Sequence, residues 1–106
     1  MSKNKGFSST SAKRYSLALY ELASEASLLM QVEENSSAFL TLIYNNEEFE
    51  NLIKDPTANQ DSLINIINKI SQNFKLEVLF KNFLSFLITK RRFFYIEQIL
   101  KSFIEI

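Results

Sequence analysis

A chain of 106 residues and 12.3 kDa has the length of one domain, and 46% hydrophobic with 23% charged residues is the balance of a folded globule, not a disordered tail. A single glycine, Gly6, and a single proline, Pro56, are too few for hairpins or phosphate-cradling loops, while the absence of cysteine and histidine excludes disulfides, thiol nucleophiles, Ser-His-Asp triads and the common zinc sites. The net charge of zero and pI near 6.3 give no general electrostatic footprint for nucleic acid.

The charge is nonetheless unevenly placed: residues 1–14 hold four basic and no acidic groups, 15–61 one basic and nine acidic, and 62–106 seven basic and three acidic. The basic, serine-rich start, residues 1–10, reads as a solvated tail without the apolar centre of a signal peptide. From Ser11 to about Met30, apolar residues at Ala12, Tyr15, Leu19, Leu22, Ala26 and Leu29 alternate three- and four-residue steps, which predicts a first helix. Leu17, Ala18, Tyr20 and Leu28 fall off that line, so the helix is apolar around much of its circumference. A second helix is predicted over about Val32–Tyr44, with Val32, Phe39, Leu42 and Ile43 inward and Glu33, Glu34, Ser36 and Ser37 outward.

Asn45 followed by Glu48 predicts the capped start of a short third helix burying Phe49, Leu52 and Ile53. Asp55-Pro56-Thr57 must end it, because proline lacks an amide proton and restricts the residue before it. Asn59 or Asp61 then caps a fourth helix in which the paired apolar residues at 63/64, 66/67 and 70 are helical in spacing, not alternating. After a polar break at Ser71-Gln72-Asn73, a fifth helix over about Lys75–Thr89 carries Leu76, Leu79, Phe80, Phe83, Leu84, Phe86, Leu87 and Ile88, again more than one stripe. A sixth, from Arg92 onward, sets Phe93, Ile96, Ile99, Leu100 and Phe103 inward and Glu97, Gln98, Lys101 and Ser102 outward. The expected fold is all-α: a single compact bundle of six helices over residues 11–106. The excess apolar faces of helices one and five have two readings. Both helices are central and covered by the others, or they border a groove that accepts a partner's amphipathic helix.

No window approaches the roughly 18 consecutive apolar residues of a membrane span, because Lys81, Lys90, Arg91, Arg92 and Lys101 interrupt the greasy C-terminal third. The acid pairs Glu33/Glu34 and Glu47/Glu48 diverge by about 100° on a helix and read as solvated faces, so no catalytic, cofactor-binding or metal-ligating residue is assigned. Lys90-Arg91-Arg92 beside Phe93, Phe94 and Tyr95 is the one pattern suited to nucleic acid. It is more simply a set of dipole partners at the end of helix five followed by core aromatics.

Taken together, the residues resemble a family. Ala12-Lys13-Arg14-Tyr15-Ser16-Leu17-Ala18-Leu19-Tyr20-Glu21-Leu22-Ala23 is similar to the opening of the delta subunit of the F-type ATP synthase, called the oligomycin-sensitivity-conferring protein in mitochondria. Phe49 through Asp55-Pro56-Thr57, Asn82-Phe83-Leu84-Ser85-Phe86-Leu87, and Arg91-Arg92-Phe93 with Ile96 and Ile99 resemble its later landmarks in order, so the likeness spans roughly residues 12–104. It implies the family's six-helix N-terminal domain, a non-catalytic stator adaptor without cofactors. Such a domain binds N-terminal helices of the alpha subunits at the crown of the catalytic head and helps couple proton transport to ATP synthesis. The resemblance further implies a groove between helices one and five, to which Tyr15, Ala18, Leu19 and Leu22 on one side and Phe83, Phe86, Leu87 and Lys90 on the other would contribute. Family members usually continue into a further domain that meets the stalk's b subunits, whereas this chain stops at Ile106. The implied place is peripheral, at the cytoplasmic face of a bacterial inner membrane or, alternatively, the matrix side of the mitochondrial one. The competing expectation is a small helical nucleic-acid-binding domain using Lys90, Arg91 and Arg92.

Overall fold

A computed structural model describes the backbone of residues 2–106 and the side chains of 11–106; the tail expected over 1–10 falls outside the described side chains. The chain order is α1 (Ser2–Glu25), α2 (Leu29–Tyr44), α3 (Glu47–Ile53), α4 (Gln60–Phe74), α5 (Val78–Thr89) and α6 (Ile96–Ile104), with a 3-10 turn, Phe93–Tyr95, leading into α6. Among the described residues there are six α-helices and no strand, as expected from the periodicity.

The first predicted helix proves to be the end of one helix and the start of another. Ser27 adopts a left-handed conformation, φ 59°. This lets the Leu28 amide donate to Ala23 O at 2.8 Å and the Ser27 amide to Ser24 O at 3.1 Å, the paired bonds that close a Schellman helix end. The same device ends α5, where Arg91 (φ 59°) precedes an Arg92 amide bonded to Leu87 O. At the end of α4, Lys75 (φ 53°) is followed by a Leu76 amide bonded to Ser71 O. The polar run Ser71-Gln72-Asn73 therefore continues α4 and does not break it, and α5 begins at Val78, later than Lys75.

Caps fix two starts. Asn46, one residue later than expected, holds α3 by accepting from the Phe49 amide at 3.0 Å, while Asn45 lies at the end of α2. Asn59 caps α4 through the Ser62 amide. Between them Asp55 Oδ1 accepts from both the amide and the hydroxyl of Thr57, which with Pro56 makes the predicted turn. The Thr57 hydroxyl, then its amide, holds the Asp55 carboxyl below its ordinary range.

The core is one cluster. At its centre the Phe39 ring meets Phe49, Phe80 and Phe93 edge-on, with centroids 5.8, 6.2 and 6.4 Å away, the arrangement the ring quadrupoles favour. Helix α6 packs chiefly on α1 and then on α2, and α4 packs on α5. Ser36, expected outward, is buried, with its hydroxyl turned back to Val32 O at 2.8 Å. No helix among the described residues is long and apolar enough to cross a membrane.

Candidate functional site

Helix α1 has two apolar faces, about one residue out of phase. Ala12, Ser16, Leu19 and Ala23 are all buried, spaced so that they stack on one side of the helix. Three of the four are small, which lets α6 approach closely. At this contact Ser16 Oγ donates to Lys13 O at 2.8 Å and lies 3.0 Å from Ser102 Oγ. Since the one Ser16 hydroxyl hydrogen is then committed, Ser102 is the donor of that second bond. The other face, Tyr15, Ala18 and Leu22, turns away from α6 and meets α5.

Helix α5 is divided in the same way. Phe80, Leu84, Leu87 and Ile88 are buried in the core, while Leu79, Asn82, Phe83 and Phe86 line the outer face toward α1. Between the two helices lies an open groove of about 550 Å³ walled by Arg14, Tyr15, Ala18, Leu22, Leu79, Asn82, Phe83 and Phe86. The surface is almost wholly apolar. Leu22 is 48% exposed and Phe86 46%, unusual for large apolar side chains that line the same groove. Tyr15 and Phe86 meet edge-on at 6.4 Å across one end.

Of the eight residues expected to form the groove, Tyr15, Ala18, Leu22, Phe83 and Phe86 lie on its walls. Leu19 and Leu87 do not: both are fully buried, because each sits on the core face of its helix. Lys90 stands just beyond the wall, with Nζ 5.8 Å from the Phe86 ring centroid, within reach of a cation–π contact. Sequence reading passed over Arg14, Leu79 and Asn82. The signal for each was present, since Arg14 precedes Ala18 by one turn and Asn82 lies one turn from both Leu79 and Phe86.

The basic cluster does not form a stacking platform. Arg91 is the left-handed residue that closes α5, Phe93 is buried in the core, and Phe94 and Tyr95 stack on each other at 4.3 Å. Elsewhere Glu97 ties α6 to its neighbours: it pairs with Lys101 at 3.0 Å and Lys54 at 3.2 Å, and accepts from the Tyr44 hydroxyl at 3.3 Å. Burial pushes the Glu97 carboxyl up, but the hydrogen bonds from Lys101 and Lys54 outweigh it and the net displacement is downward. Glu33, Glu34, Glu47 and Glu48 are exposed, as expected. Among the described residues no cluster of carboxylates is placed to hold a metal ion.

Comparison with known proteins bears on what such a groove serves. The family model described as the ATP synthase delta (OSCP) subunit matches residues 12–106. The chain is 59% identical over 105 residues to ATP synthase subunit delta of Pelagibacter ubique, covering 99% of this chain and 57% of that protein. With the subunit delta of Magnetococcus marinus it is 36% identical over 84 residues, 79% of this chain and 46% of the relative. With that of Dinoroseobacter shibae it is 29% identical over 102 residues, 96% and 55%. The chain spans about half the length of the curated relatives it matches. None of these findings supports a nucleic-acid-binding role.

Proposed function

The chain belongs to the ATP synthase delta (OSCP) subunit family, and on that premise we propose that its α1–α5 groove seats an amphipathic N-terminal helix of an alpha subunit at the crown of the catalytic head. The observation that carries the reading is the groove itself. A helical domain with a well-packed core leaves Leu22 and Phe86 exposed on the walls of one trough whose floor includes the buried Phe83, which leaves apolar area in water unless another apolar stripe covers it. An amphipathic helix anchored at three- and four-residue intervals fits a trough between two helices. Ala18 is the small residue that lets a helix settle deeply between them.

In this role the protein works as a stator element and not as a catalyst. It holds the head against rotation so that proton transport is coupled to ATP synthesis, and it meets the membrane only through the complex, at the cytoplasmic face in a bacterium. Contact with the stalk's b subunits falls to the part of the relatives outside the aligned span.

The test is a calorimetric titration of the chain with a synthetic peptide of the alpha subunit's N-terminal segment. Saturable one-to-one binding is expected. Because Ala18 is exposed, Ala18→Asp should leave helicity and melting unchanged while removing measurable binding, since it places a carboxylate against apolar walls. Truncating an anchor such as Phe86 to alanine should weaken binding by about 2 kcal/mol or more. A folded wild-type chain that takes up no peptide would refute the reading.

A further inference from the structure

The groove's charge is sorted by end. On α1 no acidic residue occurs from Ser11 to Tyr20, where Lys13 and Arg14 are exposed; the exposed Glu21 and Glu25 follow. Arg14, Ala18, Glu21, Leu22 and Glu25 share one side of the helix at three- and four-residue steps, so this wall passes from basic to acidic. On the other wall no acidic residue occurs from Val78 to Arg92. Lys90 leans over Phe86 at one end, and Glu77 at the opposite end is balanced by Lys81 one turn later. The Tyr15–Phe86 contact joins the Arg14 end of α1 to the Lys90 end of α5. The two walls, residues 14–22 and 79–86, can then flank one groove only if the helices run antiparallel, with Leu22 facing Leu79. The groove has a basic end at Arg14 and Lys90 and an acidic end at Glu21 and Glu25.

We propose that this polarity selects direction: the occupant is a partner chain's amphipathic helix whose C-terminal turn, carrying carboxylates beside its apolar stripe, lies at Arg14 and Lys90, and whose N-terminal turn lies at Glu21 and Glu25. The proposal rests on the groove reading above. A helix carries partial negative charge at its C-terminal end and partial positive charge at its N-terminal end, so this direction matches both ends of the groove and the reverse opposes both. The carbonyl end of α5 also lies near Lys90, but its last carbonyls are occupied. Phe86 O, Leu87 O and Ile88 O accept from the amides of Lys90, Arg92 and Arg91, leaving the lysine and arginine charges to dominate that end.

The chain has no cysteine, so a single introduced cysteine carries a single nitroxide. Ala26→Cys and Thr89→Cys, both at exposed positions outside the walls, mark the two ends of the groove in the full chain. The probe is an isotope-labelled peptide of the alpha subunit's N-terminal segment. The label at 89 should broaden amides of the peptide's C-terminal half, and the label at 26 those of its N-terminal half. The opposite pattern overturns the direction and leaves the groove reading standing, whereas a folded chain that binds no peptide overturns both. Arg14→Glu combined with Lys90→Glu should weaken binding about five- to tenfold at low salt, with the difference shrinking as salt is added. Unchanged affinity in that double variant overturns the electrostatic selection, as does self-association of the chain that hides the groove.

Discussion

The two faces of α1 use similar chemistry to opposite ends. Toward α6 the helix presents Ala12, Ser16, Leu19 and Ala23, all buried; toward α5 it presents Tyr15, Ala18 and Leu22, which line an open trough. Apolar character alone does not separate them, since the closed face holds a serine and the open one a leucine and a tyrosine. What separates them is size and supply of neighbours. Small side chains draw α6 against α1 until no gap remains, and the serine hydroxyl is satisfied by Lys13 O and Ser102, so its burial leaves no polar group unpaired. On the other face the bulk of Tyr15, Phe83 and Phe86 keeps α1 and α5 apart, and among the described residues no other helix covers the space. An apolar face is thus core or docking surface according to whether the same chain supplies the element that closes it.

The sharpest way to break this contrast is to shorten one leucine on each face. Leu19 is 0% exposed and Leu22 48%. Leu19→Ala should destabilise the fold by about 2–5 kcal/mol through lost burial and a residual cavity, and Leu22→Ala should change stability by no more than about 0.5 kcal/mol. Urea unfolding of the two variants checks this directly. Equal losses would mean that Leu22 is core and that the groove is closed in solution.

The same pair shows how much the sequence disclosed. Six helices, the Asp55-Pro56 turn and the double-faced character of α1 and α5 followed from periodicity and from Pro56, because these depend on local spacing. The assignment of faces did not follow fully. Leu19 and Leu87 fit a groove stripe as well as a core stripe, and only packing against α6 and the rest of the core decides between them. Ser36 was expected outward, yet a helical serine can bond a carbonyl one turn back and become apolar in effect, as Ser36 does with Val32 O and Ser16 with Lys13 O. Two helix ends, those of α1 and α4, were displaced for one shared reason: the left-handed positions that close them fell to Ser27 and Lys75, residues that carry none of glycine's signal. Arg14 and Asn82 were not expected on the walls because apolar periodicity marks no polar residue, and of the polar residues the family resemblance implied only Lys90.

Enlarging the closed face tests its tightness. Ser16→Leu keeps the face apolar but adds volume where α1 and α6 meet most closely. It should destabilise by about 1–3 kcal/mol through overpacking, despite replacing a buried hydroxyl with a better helix former. The same substitution at Ala18, which faces the groove, should leave the melting temperature nearly unchanged and act on peptide binding instead. If Ser16→Leu were neutral in denaturant titration, the α1–α6 seam would be looser than its small residues imply.

The weakest expected effect comes from the polar clasp on the outer side of α6. Glu97 is 18% exposed at its side chain, but Lys54 and Lys101 are 51% and 52% exposed, so solvent screens each pair and the clasp should contribute only about 0.5–1 kcal/mol. Its sign with pH follows from the carboxyl lying below its ordinary value of 4.5. An acid that is stronger in the folded than in the unfolded state binds fewer protons when folded. Its contribution is therefore complete above 4.5 and lost as pH falls through the folded-state value. Glu97→Gln keeps an acceptor for the Tyr44 hydroxyl while removing the charge. The variant should be less stable than wild type near pH 7, and the gap should narrow as pH falls below 4.5 and through the folded-state value. A gap of constant size across that range would assign the loss to packing at the α2–α6 contact, and the clasp would then belong with the closed face of α1 as a matter of shape and not of charge.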